Sequence, residues 1–144
     1  MLVKQVRSIL DGETDPIVAM ANTSAAIFYS LPDLNWAGFY RVVDGDLVLG
    51  PFQGKVACTR IKRGRGVCGT ALDAGRSQLV PDVHAFPGHI ACDSASRSEV
   101  VVPVRNKNGE IFAVLDIDSP VPGRFSEDDL ALFEAIAKEF EVLS

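Results

Sequence analysis

Two hydrophobic segments on either side of an Asn–Gly pair place the tightest constraint on how this chain folds. Residues 98–104 and 110–118 are rich in β-branched side chains, and Asn108-Gly109 lies between them. Asn–Gly is a favoured pair for a tight turn between antiparallel strands. The sequence therefore predicts a β-hairpin in the C-terminal half of the chain.

The register of this predicted hairpin gathers three acidic residues. With a two-residue turn, Val101 faces Asp116, and Glu99 faces Asp118. Side chains alternate between the faces of a strand, so apolar residues of the second strand fill the opposite face: Ile111, Ala113, Leu115 and Ile117. Opposed like charges repel, so the cluster is expected to raise the pKa of at least one carboxyl group or to bind a hydrogen-bond donor. The alternative is that the acids lie at a solvated strand end.

A second hairpin is predicted upstream, where residues 36–43 and 46–52 flank Asp44-Gly45. Trp36, Gly38 and Tyr40 project from the same face of its first strand. The glycine leaves a notch between two aromatic side chains. Such a notch suits an apolar or cationic ligand group, although both aromatic residues can equally belong to the core.

Helical patterns flank these strands at both ends of the chain. Residues 1–10 carry a short apolar stripe, and Asp15-Pro16 resembles a helix start that continues to Ser30. Ser126 and Asp129 form a pattern like a capping box, followed by apolar residues at helical spacing. The predicted class is α+β, with a central antiparallel sheet and the N- and C-terminal helices packed on one face.

Two of the three cysteines lie in the first part of the segment between the hairpins. Residues 56–61 are predicted as a short strand that carries Cys58, and residues 78–80 as another short strand. Residues 64–69 formally match the GxGxxG pattern, but no clear βαβ unit surrounds them. We interpret them as a tight loop and a short helix that carries Cys68 and continues through Leu72.

The composition limits the classes of function. The 144 residues suggest one domain, and the net charge of −5 argues against nucleic-acid binding. No apolar run reaches the roughly 18 residues of a membrane span, and the N-terminus lacks the hydrophobic region of a signal peptide. We therefore predict a cytoplasmic protein that binds neither nucleic acid nor membranes.

The 3 cysteines fit neither a secreted disulfide framework nor a common zinc ribbon, because their number is odd and no CxxC pair occurs. In a reducing compartment, thiols that pair are usually catalytic or redox-sensing, whereas other cysteines are small buried hydrophobic residues. Cys92 lies with Asp93, His84 and His89 in a loop that begins at Pro81, which is typical of a functional loop. The cysteine and histidine spacing matches no common zinc site, so no metal ligands are predicted.

Four motifs in the chain resemble the free methionine-(R)-sulfoxide reductases, small proteins with a GAF fold. The motifs are residues 36–40 (WAGFY), 50–54 (GPFQG), 64–69 (GRGVCG) and the loop that runs from PDVH at residue 81 to CDSASRSE at residue 92. The resemblance extends from about Asp15 to the C-terminus and includes the pattern of Cys58, Cys68 and Cys92. It implies a single GAF domain over residues 1–144, with the active-site loops on the sheet face opposite the helices.

The resemblance implies the reduction of free L-methionine (R)-S-oxide to L-methionine. Cys92 is then the nucleophile, which attacks the sulfoxide sulfur and becomes a sulfenic acid. Cys58 condenses with it to give a disulfide, and thioredoxin, supplied with electrons by NADPH, reduces that disulfide. Cys68 resembles an auxiliary thiol, although the residues alone leave open whether Cys58 or Cys68 resolves the sulfenic acid.

The resemblance also implies how the substrate is held. Trp36 and Tyr40 hold the S-methyl end. The acidic side chains of Glu99, Asp116 and Asp118 bind the amino group and assist at the sulfoxide oxygen. Of these, Glu99 and Asp118 are favoured for close contact with the substrate. Backbone N–H groups of the loop receive the carboxylate, at Ile90, Ala91 and Asp93. No cofactor is expected to be bound.

Two further expectations complete the sequence analysis. The related enzymes suggest a homodimer. The competing function is a GAF-type sensor of a cyclic nucleotide or another small ligand, which has only the fold in its support.

Overall fold

The computed structural model describes residues 1–89 and 95–143. Its strands are β1 Trp36–Val43, β2 Asp46–Gly54, β3 Arg60–Ile61, β4 Gln78–Val80, β5 Ser98–Arg105 and β6 Ile111–Ser119. Its α-helices are α1 Leu2–Leu10, α2 Pro16–Ser30, α3 Gly66–Ala74 and α4 Glu127–Lys138, and short 3₁₀ helices span Val83–Ala85 and Glu139–Leu143. The strands form one antiparallel sheet in the order β3-β2-β1-β6-β5-β4.

The helices from the two ends of the chain, α1, α2 and α4, cover one face of this sheet. They enclose the larger hydrophobic core, to which helices and strands both contribute. Its fully buried members include Ile27 of α2, Phe39 of β1, Leu115 of β6 and Phe133 of α4. The predicted α+β architecture is confirmed.

Side chains at the helix starts explain where α2 and α4 begin. Asp15 caps α2 by accepting a hydrogen bond from the Ile17 N–H, and Pro16 takes the first helical position. Ser126 and Asp129 form a complete capping box at α4, as predicted. The α-helices contain 9 to 15 residues, and no helix in the described part of the chain has both the length and the apolar character to cross a membrane.

The opposite face of the sheet carries α3 and a second, smaller hydrophobic cluster. Val67, Cys68 and Leu72 of α3 pack there against Trp36 and Tyr40 of β1. α3 ends at Gly75, whose φ of 69° lies in the left-handed region that favours glycine. This face holds the candidate site.

The pairing of β5 with β6 brings the predicted acids together. Val101 pairs with Asp116, and Glu99 pairs with Asp118, as the two-residue turn predicts. The turn itself differs, because the register shifts between Val104 and Arg105 and residues 106–110 connect the strands. Ile111 consequently packs against the smaller cluster, so its assignment to the helix-covered face was wrong.

The segment that carries Cys58 is not a strand, contrary to the prediction for residues 56–61. Only Arg60 and Ile61 pair with β2, and residues 55–59 have no regular structure. The Trp36 indole N–H donates to the Lys55 carbonyl at 3.2 Å, so a side chain takes an acceptor that a strand ladder would use. Cys58 therefore lies on an irregular segment beside the site.

Candidate active site

Three acidic side chains meet on the α3 face because adjacent strands carry them. Glu99 of β5 pairs with Asp118 of β6, and Asp118 also pairs with Trp36 of β1. Asp116 lies two residues earlier on the same face of β6, paired with Gly38. Their exposed fractions are 8% for Glu99, 5% for Asp116 and 8% for Asp118. The alternative of a solvated strand end is therefore excluded.

The acids line a cavity of about 40 Å³. Among its walls are residues of the β1 strand, the segment around Cys58, the start of α3 and the β5–β6 pair: Trp36, Tyr40, Ala57, Ile61, Arg65, Gly66, Val67, Cys68, His89, Ser96, Glu99, Asp116 and Asp118. Carboxyl groups, a thiol and aromatic rings thus face one small space. Perturbed titratable groups in a cleft are typical of functional sites.

Burial raises the pKa of Asp116 well above its ordinary 3.8, and the charges of Asp118 and Glu99 raise it further. Its Oδ1 atom has no hydrogen-bond partner among the described residues. In the same part of the chain, neither Asp116 nor Glu99 forms an ion pair with a basic residue. Burial and the neighbouring acids therefore favour the protonated form of Asp116.

Cys68 is a buried thiol at the base of the cavity. It lies in α3, 4% exposed, and its Sγ donates to Glu99 Oε2 at 3.9 Å. Burial raises the pKa of this thiol well above 9.0, and the charges of Asp116 and Glu99 act in the same direction. Cys68 therefore remains protonated near neutral pH and is a poor nucleophile.

An aromatic wall closes one side of the cavity. The Trp36 and Tyr40 rings stack with centroids 5.7 Å apart, and Phe52 stacks on Trp36 at 5.1 Å. The Tyr40 hydroxyl donates to the Cys58 carbonyl at 3.1 Å, and burial raises the pKa of that hydroxyl. Trp36 and Tyr40 are each 2% exposed, so they are at once core residues and cavity walls.

The predicted notch at Gly38 is not open space. A Cβ placed there would meet Phe52 Cβ at 2.3 Å and the Pro51 carbonyl oxygen at 2.9 Å. The register of β1 against β2 shifts between Gly38 and Tyr40, and the close approach of β2 fills the gap. The glycine is needed for strand packing rather than for ligand space.

Comparison with known proteins identifies the family. The GAF domain profile matches residues 5–143. The free methionine-R-sulfoxide reductase of Escherichia coli is 52% identical over 144 residues, which covers 99% of this chain and 87% of the relative. That of Saccharomyces cerevisiae is 41% identical over 144 residues, covering 95% of this chain and 80% of the relative. This chain is a member of the free methionine-R-sulfoxide reductase family.

A solved structure extends this likeness to the fold. The X-ray structure of free methionine-R-sulfoxide reductase from Neisseria meningitidis, in complex with its substrate, has a TM-score of 0.93 and 44% identity to this chain. The match covers 97% of this chain and 84% of the other. The predicted GAF fold and the predicted family of enzyme are both confirmed.

The cysteines of this reductase-family chain differ in state. Cys58 is disulfide-bonded, and Cys68 is a free thiol. Cys92, the predicted nucleophile, lies outside the described residues. So do Ile90, Ala91 and Asp93, the predicted carboxylate-binding residues, and their roles stay predictions.

Sequence reasoning assigned no site role to three polar residues of the cavity wall, Arg65, His89 and Ser96, although it placed His89 in the predicted functional loop. Ser96 is 6% exposed, and its Oγ accepts a hydrogen bond from the Asn35 side-chain amide at 3.0 Å. Arg65 precedes α3 as its N-cap residue. Only the position of Arg65 and Ser96 within the matched motifs pointed to them, because neither shows a periodic pattern. His84 is exposed and lies outside this wall.

Proposed function

We propose that this chain reduces free L-methionine (R)-S-oxide to L-methionine. The observation that carries the proposal is a buried acid with a raised pKa, Asp116, in a cavity that also offers two acids and an aromatic wall. A sulfoxide becomes a good electrophile only when its oxygen is protonated, and a carboxyl group with a raised pKa supplies that proton. The names of the similar proteins agree with this chemistry.

Cys92 is the proposed nucleophile. Its thiolate attacks the protonated sulfoxide and forms a sulfur–sulfur bond. That bond and the substrate sulfur–oxygen bond then break as the oxygen passes to Cys92, which becomes a sulfenic acid while methionine is released. The cysteine sulfur is oxidised and the substrate sulfur is reduced by two electrons, and one proton is taken up. The role of Cys92 rests on the motif that contains it and on family membership.

Cys58 is the proposed resolving thiol. It attacks the sulfenic acid, and a disulfide forms with loss of water. The disulfide-bonded state of Cys58 supports this role, and so does the free state of Cys68. Thioredoxin then reduces the disulfide by thiol–disulfide exchange, with NADPH as the source of electrons.

The cavity walls suit the two ends of a free amino acid with a methyl sulfoxide. The Trp36 and Tyr40 rings offer an apolar surface to the S-methyl group. Glu99 and Asp118 face the same cavity and would bind the substrate ammonium group as carboxylates. Backbone N–H groups at Ile90, Ala91 and Asp93 are proposed for the substrate carboxylate. No bound cofactor is required in this scheme.

The same acids count against a cyclic-nucleotide sensor. The phosphate of such a ligand is anionic, and Glu99, Asp116 and Asp118 would meet it with acceptors rather than donors. We therefore do not favour that alternative. A homodimer and a cytoplasmic location remain part of the proposal.

The decisive test couples NADPH oxidation to thioredoxin reductase, thioredoxin and this protein, with three substrates offered in parallel. These are free methionine (R)-sulfoxide, free (S)-sulfoxide and a peptide-bound sulfoxide. We expect turnover of the free (R) form alone, and its loss in Cys92→Ser. The matched control is Cys68→Ser, which should still release methionine in a single turnover. Absence of turnover with all three substrates would refute the proposal.

A further inference from the structure

The floor of the cavity holds three potential ligand atoms that the proposed reaction does not use together. Sγ of Cys68, a carboxylate oxygen of Glu99 and a carboxylate oxygen of Asp116 all lie within 4.8 Å of one another. They come from three elements that pack together, α3, β5 and β6. The packing of these three elements therefore brings the three atoms together.

The spacing of these atoms is close to that of a tetrahedral zinc site. Zinc–sulfur and zinc–oxygen bonds of about 2.3 and 2.0 Å place a sulfur and an oxygen ligand about 3.5 Å apart. Cys68 Sγ and Glu99 Oε2 are 3.9 Å apart, a few tenths of an ångström above that spacing, and all three atoms lie within 4.8 Å of one another. The cavity of about 40 Å³ has room for the ion and for a water molecule as the fourth ligand.

The side chain of Asp116 provides a second sign that a ligand can bind here. It is 5% exposed, it faces the cavity, and its Oδ1 has no hydrogen-bond partner among the described residues. A buried acceptor without a partner is costly unless a ligand satisfies it. Within the described residues, no basic side chain forms an ion pair with Asp116 or Glu99. A cation at this point would satisfy the oxygen and offset the charge.

We propose that Cys68, Glu99 and Asp116 form a binding site for one Zn²⁺ ion, and that the bound ion excludes methionine sulfoxide from the cavity. One thiolate with two carboxylates suits Zn²⁺, whereas Mg²⁺ and Ca²⁺ prefer oxygen ligands alone. The protons on the ligands pass to solvent as the ion binds. The exclusion of substrate rests on the proposed function, but the binding of the ion does not.

The test measures binding in a protein whose only thiol is Cys68. The reduced Cys58→Ser/Cys92→Ser variant is titrated with Co²⁺, which reports a thiolate ligand by a charge-transfer absorption band, and then with Zn²⁺ as competitor. We expect one Co²⁺ per chain, displaced by Zn²⁺ but not by Mg²⁺. Adding Cys68→Ala should abolish the band. The proposal is overturned if the band is absent with Cys68 present, or if it survives Cys68→Ala.

One acid variant in the same background tests Asp116 as an oxygen ligand, and a second acid variant is its control. Asp116→Asn should weaken Co²⁺ binding by about tenfold or more, since even the outer partners of metal ligands are worth about 10- to 100-fold. Asp128→Asn, at an exposed position of α4, is the matched control and should leave binding unchanged. Equal affinity in both acid variants would remove Asp116 from the site. Circular dichroism of each variant establishes that it is folded.

Competition with product separates this proposal from the proposed function. If both hold, free methionine lowers the apparent affinity for Co²⁺, because the two ligands need the same cavity. If the function is wrong and the metal site is right, the band forms and methionine has no effect on it. If methionine binds to the Co²⁺-loaded protein as tightly as to the free protein, the proposed exclusion of substrate is overturned.

Discussion

Asp116 is a carboxyl group whose pKa is raised by burial and, further, by its acidic neighbours Asp118 and Glu99. If it gives its proton to the sulfoxide oxygen, Asp116→Asn should lower kcat by about 10²- to 10⁴-fold, the usual contribution of a general acid. In the natural protein, kcat/KM should fall as the pH rises through the raised pKa of Asp116, because the ionised group has no proton to give. Steady-state rates across the pH range test both expectations.

The matched control for that variant is Glu110→Gln, in the exposed turn before β6. It should keep the natural kcat and the natural pH profile. An Asp116→Asn enzyme with an unchanged kcat would remove Asp116 from the chemistry and leave the proton transfer to another acid of the cluster.

The same proton makes stability depend on pH. The pKa of Asp116 is raised in the folded state, so the folded protein keeps a proton that the unfolded chain releases above its ordinary pKa of 3.8. The free energy of unfolding therefore falls as the pH rises from 3.8 towards the folded-state pKa, by up to about 1.4 kcal/mol per pH unit. Asp116→Asn should remove this slope in urea titrations of the reduced protein at several pH values. Asp128→Asn should retain it.

At the residue scale, the sequence predicted which acids meet but not which one carries the proton. The Asn–Gly turn and the two-residue alternation of a strand bring Glu99, Asp116 and Asp118 to one face. The raised pKa of Asp116 comes first from burial and then from the charges of Asp118 and Glu99, and no local sequence pattern encodes that burial. The irregular backbone at Cys58 was missed for a similar reason, because it depends on a hydrogen bond from the distant side chain of Trp36.

At the scale of elements, the β1–β2 pair depends on a close approach at Gly38. A methyl group there would overlap Phe52 Cβ at 2.3 Å, and backbone atoms cannot move aside without disturbing the bulge. Gly38→Ala should cost about 3 kcal/mol or more, the upper range for overpacking. It should also lower activity, because β1 carries Trp36 and Tyr40. Urea unfolding and the coupled assay measure the two effects.

Gly12→Ala separates overlap from backbone strain. Gly12 has a φ of 73° and no atom within 4 Å of the added methyl group. Its substitution should cost about 1–2 kcal/mol from the left-handed conformation alone and leave kcat unchanged. If Gly38→Ala is no more costly than Gly12→Ala, the overlap at Gly38 is relieved more easily than the strand geometry indicates. The pattern of helices and strands was predictable, whereas this contact between β1 and β2 was not.

At the scale of the whole molecule, the cavity is smaller than the pockets that usually hold small molecules. It measures about 40 Å³, while pockets for small molecules usually span about 300–1,000 Å³. The structure has Cys58 in a disulfide, the state that follows methionine release in the proposed cycle. We therefore expect methionine to bind the reduced protein and to bind the disulfide form at least about tenfold more weakly. Calorimetry with both redox forms tests this, and equal affinities would contradict it.

The stacking of Trp36 between Tyr40 and Phe52 has an optical consequence. Trp36 is the only tryptophan in the 144 residues, and it lies on the α3 face of the sheet. The tryptophan fluorescence therefore reports on the cavity wall, whereas the far-ultraviolet circular dichroism of α1, α2 and α4 reports mainly on the other face of the sheet. A change in Trp36 fluorescence without a change in the circular dichroism of the helices would therefore indicate an event confined to the cavity. Ligand binding at the site can thus be followed without an added fluorescent label.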